Sequence, residues 1–258
     1  MRPNLASPWW RWFPVWSRNV RVWRKLLGPA LLGNIGEPLL YLLALGYGLG
    51  SFLGELEGLP YVVYLASGMV CASAMNTASF EGMYSAYTRM AVQDTWLGML
   101  TAPLDIRDVL VAEVIWAGTK SLISVAAILV VAGIMGLVAD LRSLLVLPLA
   151  WLLGCCFGAM ALMVTAVARN YDFFLYYFTL LITPMLLLSG VFFPVASMPG
   201  YIQAGAGLLP LYHAIALMRP LMIGDWPSHV VLHLAVLLLY TLLAFPLALR
   251  LIRRRLMK

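Results

Sequence analysis

A chain of 258 residues that is 63% hydrophobic and 11% charged carries more apolar surface than one soluble domain can bury, where about half apolar and a quarter charged is usual. Its formal net charge of +6 would suit nucleic acid, but the basic residues cluster at the two ends beside apolar segments. That placement excludes nucleic acid as a partner and points to anionic lipid headgroups. Cys71, Cys155 and Cys156 lie in apolar stretches, are odd in number and form no CxxC, so neither a disulfide framework nor a zinc site is expected.

The expectation is one all-α integral membrane domain over residues 1–258, opened by an amphipathic helix at residues 8–25. At 100° per residue, Trp9, Trp12, Phe13, Trp16, Val20, Trp23 and Leu27 share one face, with Arg11, Arg18, Arg21 and Lys25 opposite. Such a division suits a helix lying in the cytoplasmic interface, with Trp9, Trp12, Trp16 and Trp23 as anchors. The basic stretch is too long, and the apolar segment behind it too extended, for a cleaved signal peptide.

Six spans follow from a bilayer core of about 30 Å, which requires about 20 mostly apolar residues per helix. They are predicted at Leu26 to Phe52, Tyr61 to Phe80, Val109 to Val138, Leu144 to Ala168, Phe173 to Phe193 and Val230 to Leu249. Lys and Arg residues concentrate before the first span, after the last, and in the two connections holding Arg89, Arg107 and Arg169. Cytoplasmic segments retain such residues, so both termini are predicted inside, with only Arg142 and Arg219 outside.

The connection from Glu81 to Asp108 is neither Gly/Ser-rich nor heavily charged. Met90, Trp96, Leu97, Met99 and Leu100 would offer an apolar surface on a short helix ended by Ala102 and Pro103, with Arg89 and Asp94 at its rim. Two occupants fit that surface, a docked protein or the lipid interface.

Ionisable groups at bilayer depth are functional candidates because a bare ion there is costly. Glu37 lies roughly 14 Å along the first span and Lys120 roughly 16 Å along the third, at 1.5 Å per residue. The two are expected to pair or to line a translocation path together, a structural ion pair being the alternative. Glu113 sits near the start of the third span, from which it would reach the headgroups.

Residues 194–227 are expected outside, yet hold Ile202, Leu208, Leu211, Ile215 and Leu217. Segments bounded by Pro199, Pro210 and Pro220 are too short to cross, so a re-entrant helical pair is predicted, with His213 and Arg219 at its turning points. Asp225, His229 and His233 recur every four residues, but Pro227 makes Asp225 a helix cap and no Glu or Cys completes a set, so no metal is expected. Gly154 and Gly158 form a GxxxG, read as close helix packing.

Ile182, Met185, Leu188, Ser189 and Val191, followed by Met198 and Pro199 and then by Pro210, Leu211, His213 and Arg219, resemble the signature of the ABC-2 type permeases. Length, spans and the segment PLYHAIALMRP are most similar to the NodJ-type branch. The resemblance implies a bacterial inner-membrane permease that exports a lipooligosaccharide, with relatives for polysaccharides, drugs or other lipids sharing the signature. It also implies a homodimer joined to two copies of a separate ATP-binding cassette subunit, which would bind ATP and Mg. No GxxxxGK[ST] loop occurs in this chain, so no cofactor and no bond chemistry are expected of it. The resemblance further assigns the 81–108 segment, with Arg89, Met90, Asp94, Trp96, Leu97 and Leu100, to ATPase coupling. It makes the amino-terminal helix a gate, beside its simpler reading as an anchor, and Pro199, Pro210, His213 and Arg219 an outer gate. From another class, a proton-coupled carrier would use Glu37 as its relay. An intramembrane enzyme lacks the paired groups it would need.

Overall fold

The computed structural model describes residues 10–25, 28, 36 and 38–256. Its helices are α1 (Trp12–Arg24), α2 (Pro38–Leu53), α3 (Tyr61–Val92), α4 (Thr95–Leu100), α5 (Ile106–Ile134), α6 (Leu141–Val167), α7 (Phe173–Leu188), α8 (Gly200–Ala206), α9 (Pro210–Ile223) and α10 (Val230–Leu256). Four of these, α3, α5, α6 and α10, are long and apolar enough to cross a membrane. The pair α8 and α9, bent by 85° at its break, passes the same test when taken together. Both α2 and α7 are shorter apolar helices, and the start of the first expected span lies outside the described residues. Six spans are therefore expected from the pattern, while four to five meet the length and composition that crossing demands.

Small residues set the packing. Along α3, Ala66, Ala72, Ala74, Ala78, Ser67 and Ser79 let neighbours approach, and the helix forms the centre of the molecule with 83% of its apolar window buried. The GxxxG of α6 meets α5 directly: a Cβ on Gly154 would lie 2.5 Å from Ser121 Oγ, and one on Gly158 2.6 Å from Ala117 Cβ. Only glycine permits that approach, as the spacing predicts. At the other extreme, α10 buries 17% of its window and exposes Val231, Leu239, Leu242 and Leu243, a face suited to lipid.

Two features depart from an uninterrupted helical pattern. Glu55–Leu56 and Leu59–Pro60 pair antiparallel in a small hairpin, turned by Glu57 and Gly58 at φ of 53° and 74°. Positive φ at both turn residues matches the right-handed twist of the strands. The second departure is larger. Instead of ending at Phe80, α3 continues to Val92, with wide i→i+5 turns over Glu81–Ser85 and Thr88–Val92. Much of the expected 81–108 loop is thus helix, broken at Asp94, whose φ of 51° redirects the chain into α4.

Helix ends are closed by named groups. Asp105 caps α5 by accepting from the Arg107 amide at 2.9 Å, while Asp108 accepts from the Asp105 amide at 3.0 Å. Arg255 reaches back from α10 to the carbonyls of Thr165, Ala166 and Ala168 at the end of α6, at 2.9, 3.2 and 2.6 Å.

Candidate functional site

Where α3 runs past Phe80 it carries Glu81 and Arg89 against α5, which presents Glu113, Trp116 and Lys120 at i, i+3 and i+7 on one face. Glu81 and Glu113 are both 3% exposed. Arg89 joins them. Its Nη2 donates to Glu81 Oε1 at 2.7 Å and to Glu113 Oε2 at 2.5 Å, and its Nε donates to Glu113 Oε1 at 3.0 Å. Lys120 Nζ donates to Glu81 Oε2 at 2.8 Å and Trp116 Nε1 to Glu81 Oε1 at 3.0 Å. Glu113 Oε1 also accepts from Trp96 Nε1 of α4 at 3.2 Å and from Asn19 Nδ2 of α1 at 3.3 Å.

Two carboxylates and two cations balance formally, and every carboxylate oxygen accepts a hydrogen bond. Complete pairing is what makes buried charge tolerable, since each unpaired ion would cost several kcal/mol. The cluster ties α1, α3, α4 and α5 at one point, so displacing any of these helices must break a charge-assisted bond. Beside it lies a cavity of about 340 Å³, lined in part by Arg18, Trp23, Glu81, Arg89, Trp116 and Lys120.

Several expected site residues fall elsewhere. Glu37 lies outside the described residues, and the partner that Lys120 finds is Glu81. Trp96 is fully buried and Met90 is 1% exposed, so neither offers the docking surface expected of them. Their side chains are drawn in because Trp96 completes the hydrogen bonding of Glu113, while α3's extension turns Met90 into the core. Arg89 is likewise a bridge inside the cluster rather than a rim residue. What the segment does expose is Val92 (58%), Leu97 (43%) and Asp94, with Leu100 partly covered. Glu113, expected among headgroups, is buried at the hub.

The tryptophans of α1 also turn partly inward. Trp16 Nε1 donates to Thr119 Oγ1 at 3.1 Å, Trp23 packs edge-on against Trp116 at 6.0 Å, and Trp12 is partly buried against the core. Trp9 lies outside the described residues. Trp10 and Phe13 are the exposed rings, at 59% and 51%. The 3.6-residue periodicity is right, but its apolar stripe seats the helix against α5. Glu81, Trp116 and Asn19 were not expected here. A signal existed in the spacing of Glu113 and Lys120, two helical turns apart, and in a Glu and an Arg eight residues apart past an apolar run.

The profile of the ABC-2 type transporter family matches residues 14–223, which takes in this cluster and the bent pair. This chain belongs to that family. Over nearly its whole length it is also similar to nodulation protein J of Rhizobium meliloti, 42% identical across 98% of this chain and 97% of the relative. Nodulation protein J of Bradyrhizobium diazoefficiens is 40% identical across 96% of this chain and 95% of its own. The inner membrane transport permease YadH of Escherichia coli is 21% identical across 80% of each. The chain is thus an ABC-2 transport permease and a membrane protein.

In this ABC-2 permease the residues expected of the outer gate serve as fasteners. Arg219 of α9 donates to Ser67 Oγ at 2.8 Å and to the Gly190 carbonyl at 2.7 Å, and its guanidinium lies 3.7 Å above the Tyr64 ring. Tyr64 donates to the same Gly190 carbonyl at 3.0 Å. The bent pair is thereby fixed to α3 and to the turn after α7. His213 bonds the Gly207 carbonyl through Nε2 at 2.8 Å and His233 of α10 through Nδ1 at 2.7 Å. Since a carbonyl only accepts, His213 Nε2 carries the proton, and in the neutral pair His233 Nδ1 must donate to His213 Nδ1. His233 is spent on this contact and not on the spacing with Asp225 and His229. Pro199 and Pro210 mark the starts of α8 and α9, where a missing N–H costs nothing.

Proposed function

We propose that this permease is the membrane subunit of an ATP-driven exporter that moves a lipooligosaccharide or related glycolipid from the inner leaflet outward. The observation that carries this reading is the similarity to nodulation proteins J along essentially the entire chain. Energy would come from a separate ATP-binding cassette subunit holding ATP and Mg, in a complex of two permeases and two ATPases. The permease would sit in the bacterial inner membrane with both termini in the cytoplasm, α2 and α7 completing six spans and α8 and α9 dipping in from the outside.

Coupling would enter through α4. Its Leu97 is open to a partner while its buried neighbour Trp96 holds Glu113. A push on α4 is therefore resisted by the same cluster that holds α1, α3 and α5, and movement of one helix would be felt by all four. Lys120, and Glu37 if it lines the path, would contribute polar partners to a sugar head. Pro199, Pro210, His213 and Arg219 would hold the outer end closed.

The test is ATPase activity of the permease reconstituted with its partner subunit across a panel of lipooligosaccharides, polysaccharides, drugs and lipids. Stimulation by a lipooligosaccharide alone supports the substrate class, and stimulation by another class alone replaces it. Leu97→Asp, on an exposed position, is expected to abolish partner binding with the melting temperature unchanged. Retained binding would remove α4 from the interface.

A further inference from the structure

We propose that the cavity between α1, α3 and α5 is a binding site for an anionic phosphate group, either the headgroup of a phospholipid or a free phosphate. Three cations, Arg18, Arg89 and Lys120, line it against one carboxylate, Glu81. The Glu81 oxygens already accept from Arg89, Trp116 and Lys120, and Glu113 accepts from Nε and Nη2 of Arg89, so both carboxylates are already paired within the cluster.

Two further side chains in the cavity wall keep donors free of the cluster. Arg18 makes one hydrogen bond, from Nη1 to Asn19 Oδ1 at 3.1 Å, and no carboxylate pairs with it among the described residues. Trp23 Nε1 is buried with no acceptor among the described residues. A buried N–H without a partner is rare and calls for a missing acceptor, and a guanidinium with free N–H groups is shaped for a phosphate. Burial, and then the positive charge of Arg89, pull the Arg18 pKa below its ordinary value against the opposing Glu113, as expected where an anion is wanting.

Size and place agree. A volume of about 340 Å³ falls within the range of about 300–1,000 Å³ typical of small-ligand sites. One wall is the amphipathic helix α1, whose Arg21 and Arg24 are exposed while Val15 and Asn19 are buried, an arrangement suited to headgroup depth. Lipid phosphates stand at that level. This inference is independent of the exported substrate.

Native mass spectrometry of the full-length protein in detergent, titrated with phosphatidylglycerol and in parallel with inorganic phosphate, tests it. Trp23→Phe keeps the ring and deletes only the N–H, while Arg18→Gln removes the charge. A phosphatidylglycerol adduct is expected, weakened about tenfold or more by Arg18→Gln and several-fold by Trp23→Phe. Arg254→Gln, outside the cavity, should leave it unchanged. Binding of inorganic phosphate alone, with the same dependence on both variants, supports the site and identifies a soluble source. Equal binding by wild type and both variants, or none by wild type, overturns it. If Arg18→Gln does not fold, Trp23→Phe decides.

Discussion

At Arg89 one side chain satisfies two buried carboxylates, and its worth lies in what its loss would leave behind. Arg89→Ala would leave Glu81 with Lys120 as its one remaining cation beside the Trp116 N–H, and Glu113 with only neutral donors. Breaking a buried pair in this way costs about 3–5 kcal/mol, so a large fall in melting temperature in detergent is expected. Arg89→Lys should fall between, because an ammonium keeps the charge but cannot reproduce the two-pronged contact with Glu113. Asp105 offers a titratable counterpart outside the spans. Partial burial raises its pKa, but the Arg107 amide and the Arg253 guanidinium outweigh that and hold it below its ordinary 3.8. A carboxyl depressed in the folded state stabilises above its unfolded value and loses that contribution as pH falls through the folded one. Wild type should therefore be more stable than Asp105→Asn at neutral pH, with the gap closing below pH 3.8 in a thermal scan.

Among the helices, the contact between α5 and α6 depends on the absence of side chains. Gly158→Leu would drive a side chain into Ala117, 2.6 Å from where its Cβ would stand. Overpacking of this kind costs about 1–3 kcal/mol, and reduced thermal stability without loss of membrane insertion is the expected result. The GxxxG was legible because glycine at that spacing has one common use. The extension of α3 was not. Its residues 81–92 carry Tyr84, Tyr87 and Arg89 and read as a boundary by hydropathy, yet Tyr87 is covered and donates to the Arg169 carbonyl at 2.6 Å. A polar segment remains helical and buried when another element supplies its partners, which a one-dimensional window does not register. The same reason placed Trp96 on an outer surface: its indole is apolar by composition, but its N–H is fixed by a carboxylate 17 residues away.

For the whole molecule, the proposed assembly predicts a mass equal to two permeases and two ATPase subunits when the complex is extracted and measured by native mass spectrometry. A 1:1 mass would overturn the homodimer. Composition and the period of apolar residues by themselves determined that this is an all-α membrane protein, because nothing but the bilayer accepts so much apolar surface. The signature from Ile182 to Arg219 carried the resemblance to the family, since its prolines, His213 and Arg219 stand at matching separations along the chain. Which charge meets which was decided by the tertiary structure alone. Lys120 finds Glu81, Glu113 is a hub and not a headgroup contact, and Arg219 clasps Tyr64 and Gly190. Electrostatic pairing depends on distances of a few ångströms between helices, and these are fixed by how small residues let the helices approach, a quantity distributed over the whole fold.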